Sequence, residues 1–419
     1  MKILHNISQL VVSQSNPKEA LRGANLGNLE VITNATMLFD KTVVFIGTDD
    51  EVRKYILDND ILVTDTINAN DKCVIPGFVD SHTHIVFGGD RANEFGQRLK
   101  GATYQEIAVA GGGIAHTVKK TRLATFDELY QNASKLLENA IRYGTTTIEI
   151  KSGYGLNFEG EIKQLEVIKE LQKNYPLEIV STFMGAHDFP AEFKSNPDKY
   201  VDLICNEMLP YVAENKLAEY CDAFIDEGYF TIAQTEKIFE TALQYGFKLK
   251  LHADELVNKA ATEFACRIGT ISVDHLLMIS EHGIDSLSSS ATIGTLLPAT
   301  AYFIRMPYAP ARQLIESNCA IAIASDCNPG SSFTESMQTV LSLSAMNMRM
   351  TAEECLNAAT MNAAFALDRQ NKSGSITVGK RADFLILDSS NYLDLFYHFG
   401  INHVAQTWIA GNMYSSYDA

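Results

Sequence analysis

Residues 76–84 read Pro76-Gly77-Phe78-Val79-Asp80-Ser81-His82-Thr83-His84, and this stretch decides the predicted fold. The run from Cys73 to Val79 is apolar enough for a buried strand that delivers both histidines at its carboxyl end. Successive side chains of a strand point to opposite faces, so His82 and His84 share one face and can bind the same metal ion. The carboxyl ends of parallel strands are where barrel enzymes hold their chemistry.

Other polar residues end strand-like runs later in the chain. His252, His275 and Asp326 each close a short run that is apolar or rich in β-branched residues. A lone histidine at such a position is usually an ordinary core or surface residue. Four such runs, counting the one that ends in His82 and His84, instead fit ligands that converge at one end of a barrel. We therefore predict one metal site built from distant parts of the chain.

Apolar runs alternate with helical stretches between about residue 70 and residue 330, which is typical of consecutive βα units. A capping threonine and helical spacing predict a helix from Thr125 to Arg142, and another from Thr235 to Tyr245 closed by Gly246. Eight strands are predicted, at residues 74–82, 145–151, 178–184, 221–226, 247–252, 270–274, 291–296 and 319–325. Eight is the strand number of a TIM-type (β/α)8 barrel.

The two ends of the chain have a different sequence pattern from the βα units of the middle. Short β-prone pieces such as 36–39 and 43–47 are broken by Asn, Asp and Gly, and residues 374–388 have the same character. Both ends are therefore predicted to build one small β-sandwich domain. The predicted division assigns residues 1–69 and 369–419 to this domain and residues 70–368 to the barrel.

Composition narrows the class of protein. The 419 residues are 46% hydrophobic, the longest apolar runs are only as long as a strand, and the N-terminus contains no signal-peptide core, so we expect a cytoplasmic protein. The net charge of −17 argues against binding to nucleic acid or to an anionic membrane. An anionic substrate would therefore require a dedicated cation in its site.

The seven cysteines are scattered without paired short spacings, which fits reduced thiols better than disulfides or a zinc knuckle. Cys327 directly follows Asp326, so a nucleophilic thiol is an alternative to metal chemistry. Core filling is the role that we favour for this cysteine.

Six further motifs occur along the chain in a fixed order. They are Gly88-Gly89-Asp90-Arg91, Ala110-Gly111-Gly112-Gly113-Ile114, Glu149-Ile150-Lys151-Ser152-Gly153-Tyr154-Gly155, Met184-Gly185-Ala186-His187-Asp188, His252-Ala253-Asp254-Glu255 and Ser325-Asp326-Cys327-Asn328-Pro329-Gly330-Ser331. With the His82-Thr83-His84 opening and the Gly379-Lys380-Arg381-Ala382-Asp383-Phe384 tail, the chain resembles the amidohydrolase superfamily over essentially its whole length. More narrowly, it resembles the imidazolonepropionase family.

The resemblance implies a metal-dependent hydrolase of histidine degradation, usually a homodimer, that opens the ring of 4-imidazolone-5-propanoate to N-formimidoyl-L-glutamate. It implies one metal, zinc or iron, on His82, His84, His252 and Asp326, with water in an open position. Three neutral imidazoles and one carboxylate leave such an ion Lewis acidic, which agrees with this chemistry. Glu255 and His275 would move protons. The implied substrate contacts are Arg91 on the propionate, Tyr154 and His187 on the ring, and Glu255, Asn328, Gly330 and Ser331.

Two other functions remain open from the sequence. A purine or pyrimidine deaminase of the same superfamily would share the metal and the proton shuttles, but it would not need a cation for a carboxylate. The other is a non-catalytic metal-binding or scaffold protein on the same barrel. A metal-free variant would be expected to lose ligands, and none is missing here. The presence of both Glu255 and His275 argues further against a non-catalytic role.

Three lysines and one run of glycines occur in or next to these motifs. If His252 faces the barrel interior, alternation also turns Lys248 and Lys250 inward, and no neutralising partner is evident. Lys151 is expected to be a barrel-rim lysine, with an inward and desolvated position as the alternative. Gly111-Gly112-Gly113 lacks the Lys-Ser/Thr that follows in a phosphate-binding loop, so a lid over the site is predicted.

Overall fold

A parallel β-barrel forms the centre of the computed structural model, which describes residues 1–13, 18–102 and 112–416. Its eight strands are neighbours in chain order, and each adjacent pair is parallel. They are β5 Phe78–Asp80, β6 Thr145–Lys151, β7 Glu178–Ala186, β8 Tyr220–Ile225, β9 Lys248–Ala253, β10 Ser272–His275, β11 Ile293–Leu296 and β12 Ile321–Ile323. The predicted (β/α)8 barrel is confirmed.

Hydrogen bonds join the ends of the first and last barrel strands. The backbone N–H of Asp326 donates to the carbonyl of His82 at 3.0 Å. The Asp80 carboxylate accepts from the hydroxyl and the backbone N–H of Ser325, at 2.6 and 2.9 Å. This seam brings the histidine pair and Asp326 together, although more than 240 residues of chain separate them.

The second sheet contains seven strands from both chain ends, as predicted. Its order is β15-β14-β13-β4-β1-β2-β3, with β1 and β4 parallel and the other pairs antiparallel. The strands are β1 Lys2–Ser13, β2 Leu29–Phe39, β3 Val43–Gly47, β4 Asp65–Pro76, β13 Phe384–Leu387, β14 Val404–Ile409 and β15 Asn412–Ser416.

The predicted strand at 74–82 is wrong in one respect, because it is two strands in different sheets. The chain changes partners at Gly77, whose N–H donates to the Asp383 carbonyl beside the small sheet, whereas the Phe78 N–H donates to the Gly144 carbonyl beside the barrel. A Cβ on Gly77 would lie 2.2 Å from the Thr146 hydroxyl oxygen, so the crossing requires glycine.

Helices fill the connections between strands. The α-helices are α1 Asp49–Asp58, α2 Ala92–Leu99, α3 Ile114–Leu123, α4 Phe126–Arg142, α5 Phe158–Asn174, α6 Pro197–Leu203, α7 Leu209–Glu214, α8 Ile232–Gln244, α9 Ala261–Ile268, α10 Glu281–Ser288, α11 Pro298–Ile304, α12 Ala311–Glu316, α13 Met337–Met348, α14 Ala352–Ala358, α15 Met361–Phe365 and α16 Asp394–Tyr397. Short 3-10 helices span Gly23–Gly27 and Ala191–Phe193, and a π-helical turn spans Ile204–Met208.

The helix α4 begins after its predicted cap, because the Thr125 side chain accepts the Glu128 N–H and Glu128 accepts the Thr125 N–H. The helix predicted from Thr235 begins three residues earlier, at Ile232. Thr231 and Gln234 form the same reciprocal cap there, and this pair stabilises the earlier start.

Candidate active site

Three imidazoles meet at the carboxyl end of the barrel. The Nε2 atom of His84 lies 3.3 Å from Nε2 of His82 and 3.3 Å from Nε2 of His252. The Oδ1 atom of Asp326 is 3.5 Å from Nε2 of His82 and 3.8 Å from Nε2 of His84. All four side chains are buried. The four predicted metal ligands therefore form one cluster.

The hydrogen bonds of two histidines leave bare nitrogens facing the cluster. Nδ1 of His82 donates to Asp274 at 2.7 Å, and Nδ1 of His252 donates to Asp222 at 3.1 Å. An ionised carboxylate can only accept, so each ring carries its proton on Nδ1 and presents the lone pair of Nε2. Burial holds the pKa of His82 well below its usual value, which favours the neutral form that binds metals. These residues fit a metal ion.

An ionic network lies below the cluster and accounts for the buried lysines. Lys151 donates to Asp222 at 2.7 Å and to Glu149 at 3.0 Å, while Lys250 donates to Glu149 at 2.8 Å and to the Ser81 carbonyl at 3.0 Å. Lys151, Lys250, Glu149 and Asp222 are fully buried. The expectation of a rim position for Lys151 is wrong, since alternation along β6 points it inward together with Glu149.

Lys248 does not share this interior. Its side chain is 40% exposed and pairs with Asp368. The expected inward turn of both lysines therefore holds for Lys250 alone, because Lys248 lies at the start of β9, where an ion pair and solvent are within reach.

Buried acidic groups outnumber buried basic groups around the histidines. The ionisable neighbours include the carboxylates of Glu149, Asp222, Asp274 and Asp326 and the ammonium groups of Lys151 and Lys250. In their ionised forms, four carboxylates and two ammonium groups leave an excess of two negative charges. Unpaired charge is costly in a low-dielectric interior, and a divalent cation would offset this excess.

A cavity of about 400 Å³ opens above the cluster. Ten of the twelve predicted site residues line it: His84, Arg91, Tyr154, His187, His252, Glu255, His275, Asp326, Asn328 and Ser331. The other two adjoin them, with His82 behind His84 and Gly330 against Arg91. The structure thus brings together all the residues that the sequence predicts for the site.

The aromatic wall of the cavity is held from behind by α5. The fully buried Glu161 accepts the backbone N–H groups of Gly153, Gly155 and Leu156, at 2.8 to 3.1 Å. Between them lies Tyr154, whose ring centroid is 5.3 Å from that of His187. The loop is therefore rigid where it presents the tyrosine.

His187 is oriented by the same loop. Its Nδ1 donates to the Gly153 carbonyl at 3.0 Å, and its ring stacks on His84 with 5.1 Å between centroids. Burial lowers the pKa of His187 to about 3, so the ring is neutral at physiological pH.

Arg91 is a cation that lines the cavity. Its side chain is 6% exposed, and its Nε donates to Glu94 at 2.8 Å. Gly330 leaves room for it, because a Cβ there would lie 1.9 Å from Nη1 of Arg91. The Asn328 Oδ1 atom accepts the N–H groups of Gly330 and Ser331, each at 2.8 Å, which fixes the loop after Asp326.

Glu255 and His275 lie side by side with opposite proton affinities. Oε1 of Glu255 is 3.7 Å from Nδ1 of His275, too far for a direct hydrogen bond. Burial, with the nearby charge of Asp326, raises the pKa of Glu255 well above its usual value. Burial lowers the pKa of His275 well below its usual value. Burial thus favours the protonated form of the Glu255 carboxyl and the neutral form of the His275 imidazole.

Sequence reasoning missed the partners that orient the predicted ligands. Asp222 and Asp274 accept from ligand histidines, and the Thr300 hydroxyl donates to Asp326 at 2.6 Å. One signal was available, since Asp222 is an acidic residue inside an otherwise apolar strand. Nothing in the sequence pairs Thr300 with Asp326.

Two of the predictions, the role of Cys327 and the glycine lid, have different outcomes. Burial raises the pKa of Cys327 well above its usual value, so its thiol is protonated and a poor nucleophile, in accord with the favoured core role. The predicted lid at Gly111-Gly112-Gly113 falls partly outside the described residues, with only Gly112 and Gly113 inside them.

Comparisons with known proteins agree with this architecture. The model of the amidohydrolase family matches residues 73–414. An atrazine chlorohydrolase from Arthrobacter aurescens, solved with zinc, superposes with a TM-score of 0.72 at 14% identity, covering 99% of this chain and 95% of that one. A 5-methylcytosine deaminase from Klebsiella pneumoniae superposes with a TM-score of 0.71 at 15% identity, covering 100% and 98%. The chain belongs to the amidohydrolase family.

Relatives with higher sequence identity indicate where the chain belongs within the amidohydrolase family. An imidazolonepropionase from a Geobacillus species is 43% identical over 401 residues, which are 96% of this chain and 94% of the relative. An imidazolonepropionase from Porphyromonas gingivalis is 42% identical over 412 residues, 98% and 96% of the two chains. Within the amidohydrolases, the chain belongs with the imidazolonepropionases, which are hydrolases. Across residues 1–13, 18–102 and 112–416, no helix is both long and apolar enough to cross a membrane.

The cluster predicts about one divalent metal per chain, because its four ligand atoms surround a single point. Elemental analysis of the purified protein should find one ion, and Ala at His82, His84, His252 or Asp326 should lower occupancy and abolish turnover. Two ions per chain would contradict a mononuclear site, and full occupancy in any variant would remove that residue from the ligand set.

The affinity for the metal should fall below about pH 6, since burial raises the pKa of Asp326 to about 6 and only the carboxylate form binds a cation.

Proposed function

We propose that the chain hydrolyses the lactam of 4-imidazolone-5-propanoate to N-formimidoyl-L-glutamate, as a homodimer. The observation that carries this proposal is a buried arginine in a cavity directly above a cluster of metal-binding histidines. A protein with a net charge of −17 has little general attraction for an anion, so the cation inside the cavity indicates a carboxylate-bearing substrate.

The proposed ligand set is His82, His84, His252 and Asp326, with zinc or iron as the metal. Imidazole and carboxylate ligands suit both ions. A bound ion of this kind lowers the pKa of a coordinated water to about 7 and polarises a carbonyl. The chain supplies the rest: Asp274 and Asp222 orient two of the rings, and Thr300 orients Asp326.

The substrate is proposed to lie between the two walls of the cavity. Arg91 would bind the propionate, because a guanidinium offers two parallel N–H donors to a carboxylate. Tyr154 and His187 would contact the ring from the opposite side. Asn328, Gly330 and Ser331 would present amide and hydroxyl donors to the carboxylate of the product, close to Asp326.

The proton work is divided between Glu255 and His275. The neutral His275 can accept the proton that the attacking water loses as the water oxygen adds to the lactam carbonyl. The protonated Glu255 can give its proton to the ring nitrogen as the C–N bond breaks. This proton makes the nitrogen a good leaving group. The opposite pKa shifts of the two groups support this division.

Replacement of Arg91 by Ala should weaken binding more than chemistry. Loss of a charged hydrogen-bonded pair costs roughly 1.5–3 kcal/mol, so KM for 4-imidazolone-5-propanoate should rise about 10- to 100-fold with a smaller change in kcat. An imidazolone without the propionate is the matched control, and wild type and variant should hydrolyse it equally well. Equal losses on the charged and uncharged substrates would contradict the assignment.

His275→Asn should retain metal and substrate affinity but lose about two to four orders of magnitude in turnover, the range for a positioned acid–base group. Glu255→Gln should lose a similar factor. It should also flatten the alkaline limb of the pH–rate profile. The protonated form of Glu255 is the active one, and Gln has no proton of this kind to lose as the pH rises. A His275→Asn enzyme within about tenfold of wild type, with its metal intact, would leave Glu255 as the sole proton carrier.

A further inference from the structure

We propose that Glu94 is a positioning residue for substrate selection, which sets the direction of the Arg91 guanidinium. This inference rests on the function proposed above. One oxygen of Glu94, Oε2, accepts the Nε–H of Arg91 at 2.8 Å. Both side chains are largely buried, with 6% of Arg91 and 13% of Glu94 exposed, so solvent does little to weaken the pair.

The same oxygen also binds the backbone just before α3. Oε2 of Glu94 accepts the backbone N–H of Gly113 at 3.1 Å. Gly113 has a φ of 75° and directly precedes α3, whose first residue, Ile114, lines the cavity. Glu94 therefore connects Arg91 with the start of the helix that forms the neighbouring wall.

Contact at Nε is what fixes the guanidinium plane. The group is flat, so holding its Nε–H against Glu94 sets the direction in which the two terminal nitrogens point. Gly330 provides the space on the other side, since a Cβ there would lie 1.9 Å from Nη1. Glu94 thus holds the guanidinium at its Nε–H, and Gly330 leaves the space that Nη1 occupies.

The charge and the position of Glu94 act in opposite directions on an anionic substrate. Its negative charge reduces the attraction of Arg91 for a carboxylate, whereas its hydrogen bond pre-orients the arginine. If charge dominates, removing it should improve binding. If position dominates, moving the oxygen should weaken binding even when the charge is retained.

Two variants separate these effects. Glu94→Gln retains an oxygen at the same reach and removes the charge, while Glu94→Asp retains the charge but is shorter by one methylene. With 4-imidazolone-5-propanoate, we expect Glu94→Asp to raise KM about tenfold or more with kcat within about threefold, and Glu94→Gln to stay within about threefold of wild type. On an imidazolone without the propionate, both variants should equal wild type.

Glu128→Ala is the matched control, because Glu128 also accepts a backbone N–H at a helix start but lies outside the cavity lining. Its KM should be unchanged. Equal KM values for wild type and Glu94→Asp, or equal shifts in both Glu94 variants, would overturn the inference. If Arg91→Ala itself leaves the KM of the charged substrate unchanged, the proposed carboxylate contact fails, which is a separate result.

Discussion

The interior of this barrel depends on one electrostatic constraint: three imidazole nitrogens and an excess of buried carboxylate charge face a single point. His82 and His252 are held by Asp274 and Asp222 with their Nε2 lone pairs directed at that point. Nε2 of His84 lies 3.3 Å from each of these two nitrogens, so a cation between them would be coordinated by all three rings. Lys151 and Lys250 offset part of the carboxylate charge below this point. The site is therefore built around a metal ion.

Sequence reasoning predicted the ends of the barrel strands better than the contacts inside the barrel. Alternation and the meeting of parallel strands at one edge are local rules, and they identified His82, His252 and Asp326. The bond from Lys250 to Glu149 joins residues 101 positions apart, so it depends on the register between distant strands. No local pattern reveals that register. The change of sheet at Gly77 was missed for the same reason, because the partners that separate there are also remote in the chain.

The fold alone does not set the substrate. Proteins named as a chlorohydrolase and a deaminase share this architecture at 14–15% identity, and such a likeness concerns the barrel rather than the cavity. We propose that selection depends on the rim of the cavity, which includes Arg91, held by Glu94, together with Tyr154 and His187. The rim is carried on α2 and on loops, which can vary without disturbing the ionic interior. Chemistry and selectivity are therefore supported by separate parts of the structure.

The central claim is that water held at the histidine cluster adds to the lactam carbonyl of the substrate. Single-turnover reaction of the zinc-loaded enzyme with 4-imidazolone-5-propanoate in oxygen-18 water, followed by mass spectrometry, tests it most directly. The account predicts N-formimidoyl-L-glutamate with one oxygen-18 atom, located in the carboxyl group formed from that carbonyl. Ring-opened product without the label in that carboxyl group, or no ring opening by either the zinc-loaded or the iron-loaded enzyme, would contradict this mechanism.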